Sequence, residues 1–159
     1  TLFRSVSIQP LFSVIIPTYN RAGILSRSVD SVLSQTYHNF ELIIIDNGST
    51  DDTQQFLIDN YQDERIVYHY QEGSGSPASP RNAGISSAKG HWICFLDSDD
   101  RWYPSKLQLV FDLIQVNTST DVICHNENII IEDTSENNRL KYGYYQLFIY
   151  SFSLLQTPL

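Results

Sequence analysis

Methionine is missing from all 159 residues, position 1 included, and the chain holds only two cysteines, six prolines and seven glycines. The missing initiator points to numbering that starts inside a longer or processed product. Two cysteines cannot staple a small secreted module. Cys94 and Cys124 lie inside apolar runs, so both are expected to be buried free thiols in a reducing compartment. Positive charge is also scarce: ten Lys and Arg stand against 18 Asp and Glu, a formal charge of -8 with a pI near 4.7. That balance repels polyanions and excludes nucleic-acid binding as the main task, and any phosphate ligand would need cations gathered locally. No run of about 18 apolar residues exists, and the N-terminus lacks the basic-then-apolar layout of a signal peptide. The expectation is therefore no transmembrane segment and a cytoplasmic location, with peripheral association at the inner face of the membrane left open.

What is present suffices for a globule. Apolar residues make up 42% of the chain and charged residues 18%, enough for a core and too few charges for a disordered segment. The length fits one domain spanning 1–159. Short apolar runs alternate with helical stretches, the pattern of a mostly parallel sheet flanked by helices, so the fold class read here is α/β and Rossmann-like.

The predicted strands are 12–16, ended by Pro17, then 40–45, 65–70 and 91–96, with further strands at 121–124 and 128–131. The predicted helices are 22–35, with Ile24, Leu25, Val29, Val32 and Leu33 on one stripe; a short one from a cap among Ser49, Thr50 and Asp51 to about 59; 80–88; and 104–116. The stretch 73–80 is rich in Gly, Ser and Pro and reads as a loop above the sheet. An aromatic tail follows at 142–152, and its apolar run 147–155 is too short to cross a bilayer.

Three of these strands end in polar clusters: Pro17-Thr18-Tyr19-Asn20, Asp46-Asn47-Gly48-Ser49 and Asp97-Ser98-Asp99-Asp100. Parallel strands bring their carboxyl ends to one edge, where ligands of such folds bind. An aspartate there can accept hydrogen bonds from a uracil imide or ribose hydroxyls, and Tyr19 can stack on a base, which makes Asp46 and Tyr19 candidates for a nucleoside pocket. Asp97 and Asp99, two apart on a tight turn, suit one hard divalent cation, Mn2+ or Mg2+. Unit charges about 4 Å apart interact by roughly 4 kcal/mol at an effective dielectric of 20, so bare carboxylates would repel a diphosphate and a bridging dication would reverse the sign. Arg81, beside the loop, can add a fixed positive charge.

Four ordered blocks, SVIIPTYNR (13–21), ELIIIDNGSTD (41–51), PRNAG (80–84) with AKG (88–90), and FLDSDD (95–100), resemble the family 2 glycosyltransferases and their GT-A nucleotide-sugar-binding fold. The resemblance covers 12–106. It implies an inverting sugar transfer from a nucleotide-diphosphate sugar, with a UDP-sugar as the leading donor and a glycan or a lipid-linked group as acceptor, and it implies a divalent-metal cofactor. By motif position Thr18, Tyr19 and Asp46 would contact the nucleoside, Arg81 the donor, Asp97 the ribose or the metal environment, and Asp99 the metal. Pro17, Asn20, Asn47, Asn82 and Ser98 complete the expected substrate-binding set. The general base of such enzymes lies beyond the donor half. Glu132-Asp133, the acidic pair near the end, follows an Ile-rich run without the aromatic, helix-forming context of the family's base, so no base is assigned and the acceptor-binding region is expected to be missing from the chain.

Blander readings stand beside these. Asp46 could cap a turn, Arg81 could be a surface charge at a helix start, and Gly73-Ser74-Gly75 lacks the third glycine of a dinucleotide fingerprint. Cys124 and His125 read as packing residues, and the sequon at Asn117 as a helix-end loop. Two other classes of function are carried forward: a phosphatase-like enzyme with Asp97 as phosphoryl acceptor, and a noncatalytic nucleotide-sugar-binding module.

Overall fold

The computed structural model describes residues 10–117 and 119–124. By packing, the chain divides into two compact units, 1–108 and 109–159. The first unit holds a four-stranded parallel sheet made of β1 (Phe12–Thr18), β2 (Phe40–Asn47), β3 (Ile66–Gln71) and β4 (Trp92–Phe95), in the order β3-β2-β1-β4. The helices are α1 (Leu25–Leu33), α2 (Thr53–Asn60), α3 (Ala78–Ser87) and α4 (Lys106–Val116), the last beginning in the first unit and continuing into the second. The α/β class expected from the alternation is what forms.

The interior strands are the apolar ones. β1 pairs on both sides, with β2 from Phe12↔Phe40 to Thr18↔Asp46 and with β4 from Phe12↔Trp92 to Ile15↔Phe95. Val14, Ile15, Ile16, Leu42, Ile43 and Ile44 are fully buried, as a strand covered on both faces requires. Successive side chains alternate faces. On one face Ile15, Ile43 and Ile45 form a core into which Val67, Ala83, Ala88 and Ile93 pack. There α3 lies so close to β1 that a Cβ on Gly84 would stand 2.5 Å from Ile15 Cγ2, so only glycine lets the helix approach. Helix α1 contributes Leu25, Val29 and Val32, all fully buried.

Several boundaries differ from the sequence reading. Pro17 does not end β1 but lies within it. The β4 ladder stops at Ile15↔Phe95, so at Pro17 the strand is paired on one side only, where a residue lacking N–H is tolerated. Helix α1 is shorter at both ends. Residues 22–24 form turns bonded to Arg21 O, and Gln35 lies past the helix end, where its amide donates to Ser31 O and to the loop carbonyl of Tyr103. Helix α3 starts two residues before Pro80, which places that proline in the first turn, where its missing N–H breaks no intrahelical bond. Residues 121–124 form no strand, and Cys124 is exposed rather than buried. A run of four residues with no ladder partner among the described strands cannot satisfy its backbone as a sheet. The expected strand at 128–131, the pair Glu132-Asp133, His125 and the aromatic tail at 142–152 lie outside the described residues. Among the described residues no helix is long and apolar enough to cross a membrane.

Candidate functional site

The chain runs outward from β1 through β2 to β3, then returns to place β4 on the other side of β1. The reversal makes a switch point between β1 and β4, where the following loops diverge and leave a crevice beyond the carboxyl ends. A cavity of about 700 Å³ opens there. That volume is in the range of small-molecule sites, roughly 300–1,000 Å³. Its lining brings Pro17, Thr18, Tyr19 and Arg21 from the end of β1 together with Asn47 and Gly48 from β2, and with Arg81, Asp97, Ser98 and Asp99. The 73–77 loop supplies Gly73, Gly75, Ser76 and Pro77.

Local chemistry explains why these segments converge. Asn20 sits in the left-handed region at φ 51, a conformation asparagine tolerates better than most residues. From there its Oδ1 accepts Thr50 N at 2.7 Å and Asp51 N at 3.3 Å, while its own N–H donates to Ser49 Oγ at 2.8 Å. The exits of β1 and β2 are thus clipped together. Asn47 Oδ1 accepts Gln71 Nε2 at 2.7 Å, Ser74 N at 3.2 Å and Ser74 Oγ at 3.1 Å, which fixes the loop over the cavity. Gly48, at φ +88, allows that loop to close, since a Cβ would meet Gly73 N at 2.6 Å.

The acidic turn is held from beneath by α1. Ser28, fully buried, places Oγ 2.7 Å from Asp100 O and 3.3 Å from Asp97 O, sharing one hydroxyl proton between them. Ser31 Oγ accepts Trp102 N at 3.1 Å. Gln35, also fully buried, donates to Tyr103 O at 2.7 Å and accepts Leu107 N at 2.9 Å. The three side chains, two on α1 and Gln35 just past its end, form a polar rail along which the loop after β4 is laid.

The charges balance. Arg81 Nη2 donates to Asp97 Oδ1 and its Nη1 to Pro77 O at 3.1 Å; Arg21 Nη2 donates to Asp99 Oδ2 at 3.4 Å. Both carboxylates are about half exposed, at 52% and 54%. Thr18 is almost fully buried, and its Oγ1 is the one buried side-chain polar atom without a hydrogen-bond partner among the described residues. Leaving such a hydroxyl unbonded costs on the order of 1–3 kcal/mol, and the atom is sealed from solvent although Thr18 borders the cavity.

Not every expected residue lines the cavity. Asp46 is buried behind the wall, where its carboxylate accepts Ser49 N at 2.8 Å and Tyr68 Oη at 2.9 Å. Burial and this carboxylate together raise the Tyr68 phenol well above its ordinary value, so it stays a donor. Asn20 acts as the clip just described. Asn82 is exposed on α3, away from the lining. Sequence reasoning passed over Arg21 and Ser28 as site residues. Arg21 closes the first motif block and could have been singled out, whereas Ser28 has no signal beyond a polar position beside the apolar stripe.

Could a divalent cation be held here? Among the described residues no three His, Cys, Asp or Glu gather into a cluster. Asp97 and Asp99 nonetheless offer two hard oxygen donors at one rim of the cavity, and phosphate oxygens of a ligand and water would supply the rest, as magnesium-type sites commonly require. The residues fit such an ion when a diphosphate is present.

With this geometry in view, the comparisons are specific. Residues 13–158 match the model of Glycosyl transferase family 2, and the chain belongs to that family. It is 45% identical over 105 residues to an uncharacterized glycosyltransferase of Rickettsia bellii, covering 66% of this chain and 15% of that one. It is 39% identical over 107 residues to the UDP-Glc:alpha-D-GlcNAc-diphosphoundecaprenol beta-1,3-glucosyltransferase WfgD of Escherichia coli, covering 67% and 42% respectively. The structure of S. aureus TarS 1-349 in complex with UDP-GlcNAc is similar at TM-score 0.65 and 31% identity, over 68% of this chain and 32% of that one. The sheet and its flanking helices are therefore a GT-A fold. The chain spans less than half the length of each of these three relatives. Family membership sets aside the phosphatase-like reading of Asp97.

Proposed function

We propose that the chain binds a nucleoside diphosphate sugar, a UDP-sugar first among them, in the cavity at the ends of β1 and β4, as the donor half of a divalent-metal-dependent, inverting glycosyltransferase. The observation that carries this is the meeting of Thr18, Tyr19, two carboxylates and two guanidiniums in one cavity at the switch point. The known ligand of a similar structure, UDP-GlcNAc in TarS, and the donor named for WfgD support the uridine choice.

In this reading Tyr19, 55% exposed, stacks on the base, and Thr18 lines the wall beside the nucleoside. Asp46 acts from behind the wall, holding the Ser49 turn and the Tyr68 hydroxyl. Asn47 fixes the loop, while Arg81 and Ser98 face the donor. Asp97 and Asp99 would hold Mn2+ or Mg2+, which when bound supplies positive charge against the departing diphosphate. Asp97, Asp99, Arg21 and Arg81 sum to zero formal charge, so without that ion the rim gives a diphosphate no net attraction. The acceptor, a glycan or a lipid-linked sugar by analogy with WfgD, and the general base are not assigned to residues of this chain.

A thermal-shift screen tests the reading. UDP-sugars with Mn2+ should raise the melting temperature, because a ligand at about 100 times its Kd adds roughly 2.7 kcal/mol to the folded state. A chelator should abolish the shift. Equal shifts with and without metal, or none with any nucleotide sugar, would contradict it.

A further inference from the structure

The two arginines at the rim are held differently. Arg81 is tied twice, to Asp97 and through Nη1 to Pro77 O, so it is anchored to the start of its own helix. Arg21 is fixed only in its backbone. Its N–H donates to Thr53 Oγ1 at 3.1 Å and its carbonyl accepts Ile24 N and Leu25 N at 3.0 and 2.9 Å. Its guanidinium, 44% exposed, has Asp99 as its hydrogen-bond partner among the described residues, through one long contact of 3.4 Å.

We propose that Arg21 is a partner-exchanging residue: in the free protein it covers Asp99 and competes with the divalent cation, and in the donor complex it turns to the diphosphate. This rests on the metal-dependent reading above and deepens it. An exposed pair with one contact is worth only about a few-fold in an equilibrium constant, so a dication at Asp99 displaces the guanidinium readily. Once released, that guanidinium still borders the cavity from the end of β1. The anion then nearest to it is the phosphate that arrives with the nucleotide, and a planar fork of N–H donors matches phosphate oxygens. Arg81, anchored at Pro77 O, cannot make the same excursion without giving up its loop bond.

The exchange has a signature that a structural role would not produce, because removing Arg21 acts with opposite sign on the two ligands. In the 159-residue chain carrying Arg21→Gln, Mn2+ affinity measured without nucleotide by electron paramagnetic resonance should rise about threefold. UDP affinity at saturating Mn2+, measured by calorimetry, should fall about tenfold. Arg21→Lys keeps the charge and should recover most of the UDP affinity. The melting temperature of each variant checks folding, and Arg21→Ala serves if Gln folds poorly. Changes of the same sign for both ligands, or no change in either, would overturn the exchange while leaving metal-dependent donor binding standing. A wild-type chain that binds neither Mn2+ nor UDP would remove the underlying reading, and the exchange with it.

Discussion

Asp46 and Asp97 come from the carboxyl ends of two parallel strands that flank β1, yet their surroundings differ completely. Asp46 ends an interior strand between β3 and β1, is 1% exposed, and spends both oxygens on Ser49 N and Tyr68 Oη. Asp97 follows the short strand β4 and is half exposed at the cavity, where its neutralising partner is Arg81. Position in the sheet, not residue type, decides whether a strand-end carboxylate builds the wall of a site or faces its ligand.

The comparison breaks most visibly in stability. Asp46→Leu strands a part-buried N–H and a part-buried phenol without an acceptor and should cost about 3 kcal/mol in urea unfolding. Asp97→Ala should stay within about 0.5 kcal/mol of wild type, as exposed changes do. Equal costs would erase the distinction. Binding should invert the order: Asp99→Ala should weaken UDP binding in Mn2+ by at least about tenfold with the melting point unchanged, since it removes a charged donor from the rim. Ser28→Ala lies between the two, freeing the carbonyls of Asp97 and Asp100. It should cost about 1–2 kcal/mol and reduce the Mn2+ dependence of binding a few-fold, because the turn loses its support.

The smallest effect lies far from the rim. Burial pushes the Cys94 thiol up to about 11. A folded pKa above the unfolded value means stability is full below about pH 9 and declines as pH rises toward 11, where the unfolded chain ionises first. By about pH 10 the decline should be about 1 kcal/mol, and it should vanish in Cys94→Ala, read by denaturation at paired pH values. Alkylation of Cys94 in the folded chain should be slow at neutral pH, because the thiolate is the reactive form.

How much of this was legible in the sequence follows the same division. β1 and β2 were readable because strands buried on both faces must be continuously apolar, and Asp97 and Asp99 were readable because a polar turn after a short strand exposes its acids. The bonds from Ser28 and Gln35 to the loop after β4 span about 70 positions, and no local pattern announces them. The inward turn of Asp46 depends on Tyr68, a residue of the neighbouring strand, so only pairing reveals it. Pro17 misled because its tolerance depends on where β4 stops. Residues 121–124 misled because an apolar run needs a ladder partner to become a strand.

Titrating UDP into the wild-type chain with Mn2+ and again with a chelator bears most directly on the idea that a cation at the rim reconciles protein acids with a diphosphate. Saturable binding in Mn2+, lost with the chelator and in Asp99→Ala, is the expected result. Binding of equal strength in all three cases would place the nucleotide elsewhere or leave the ion without a role.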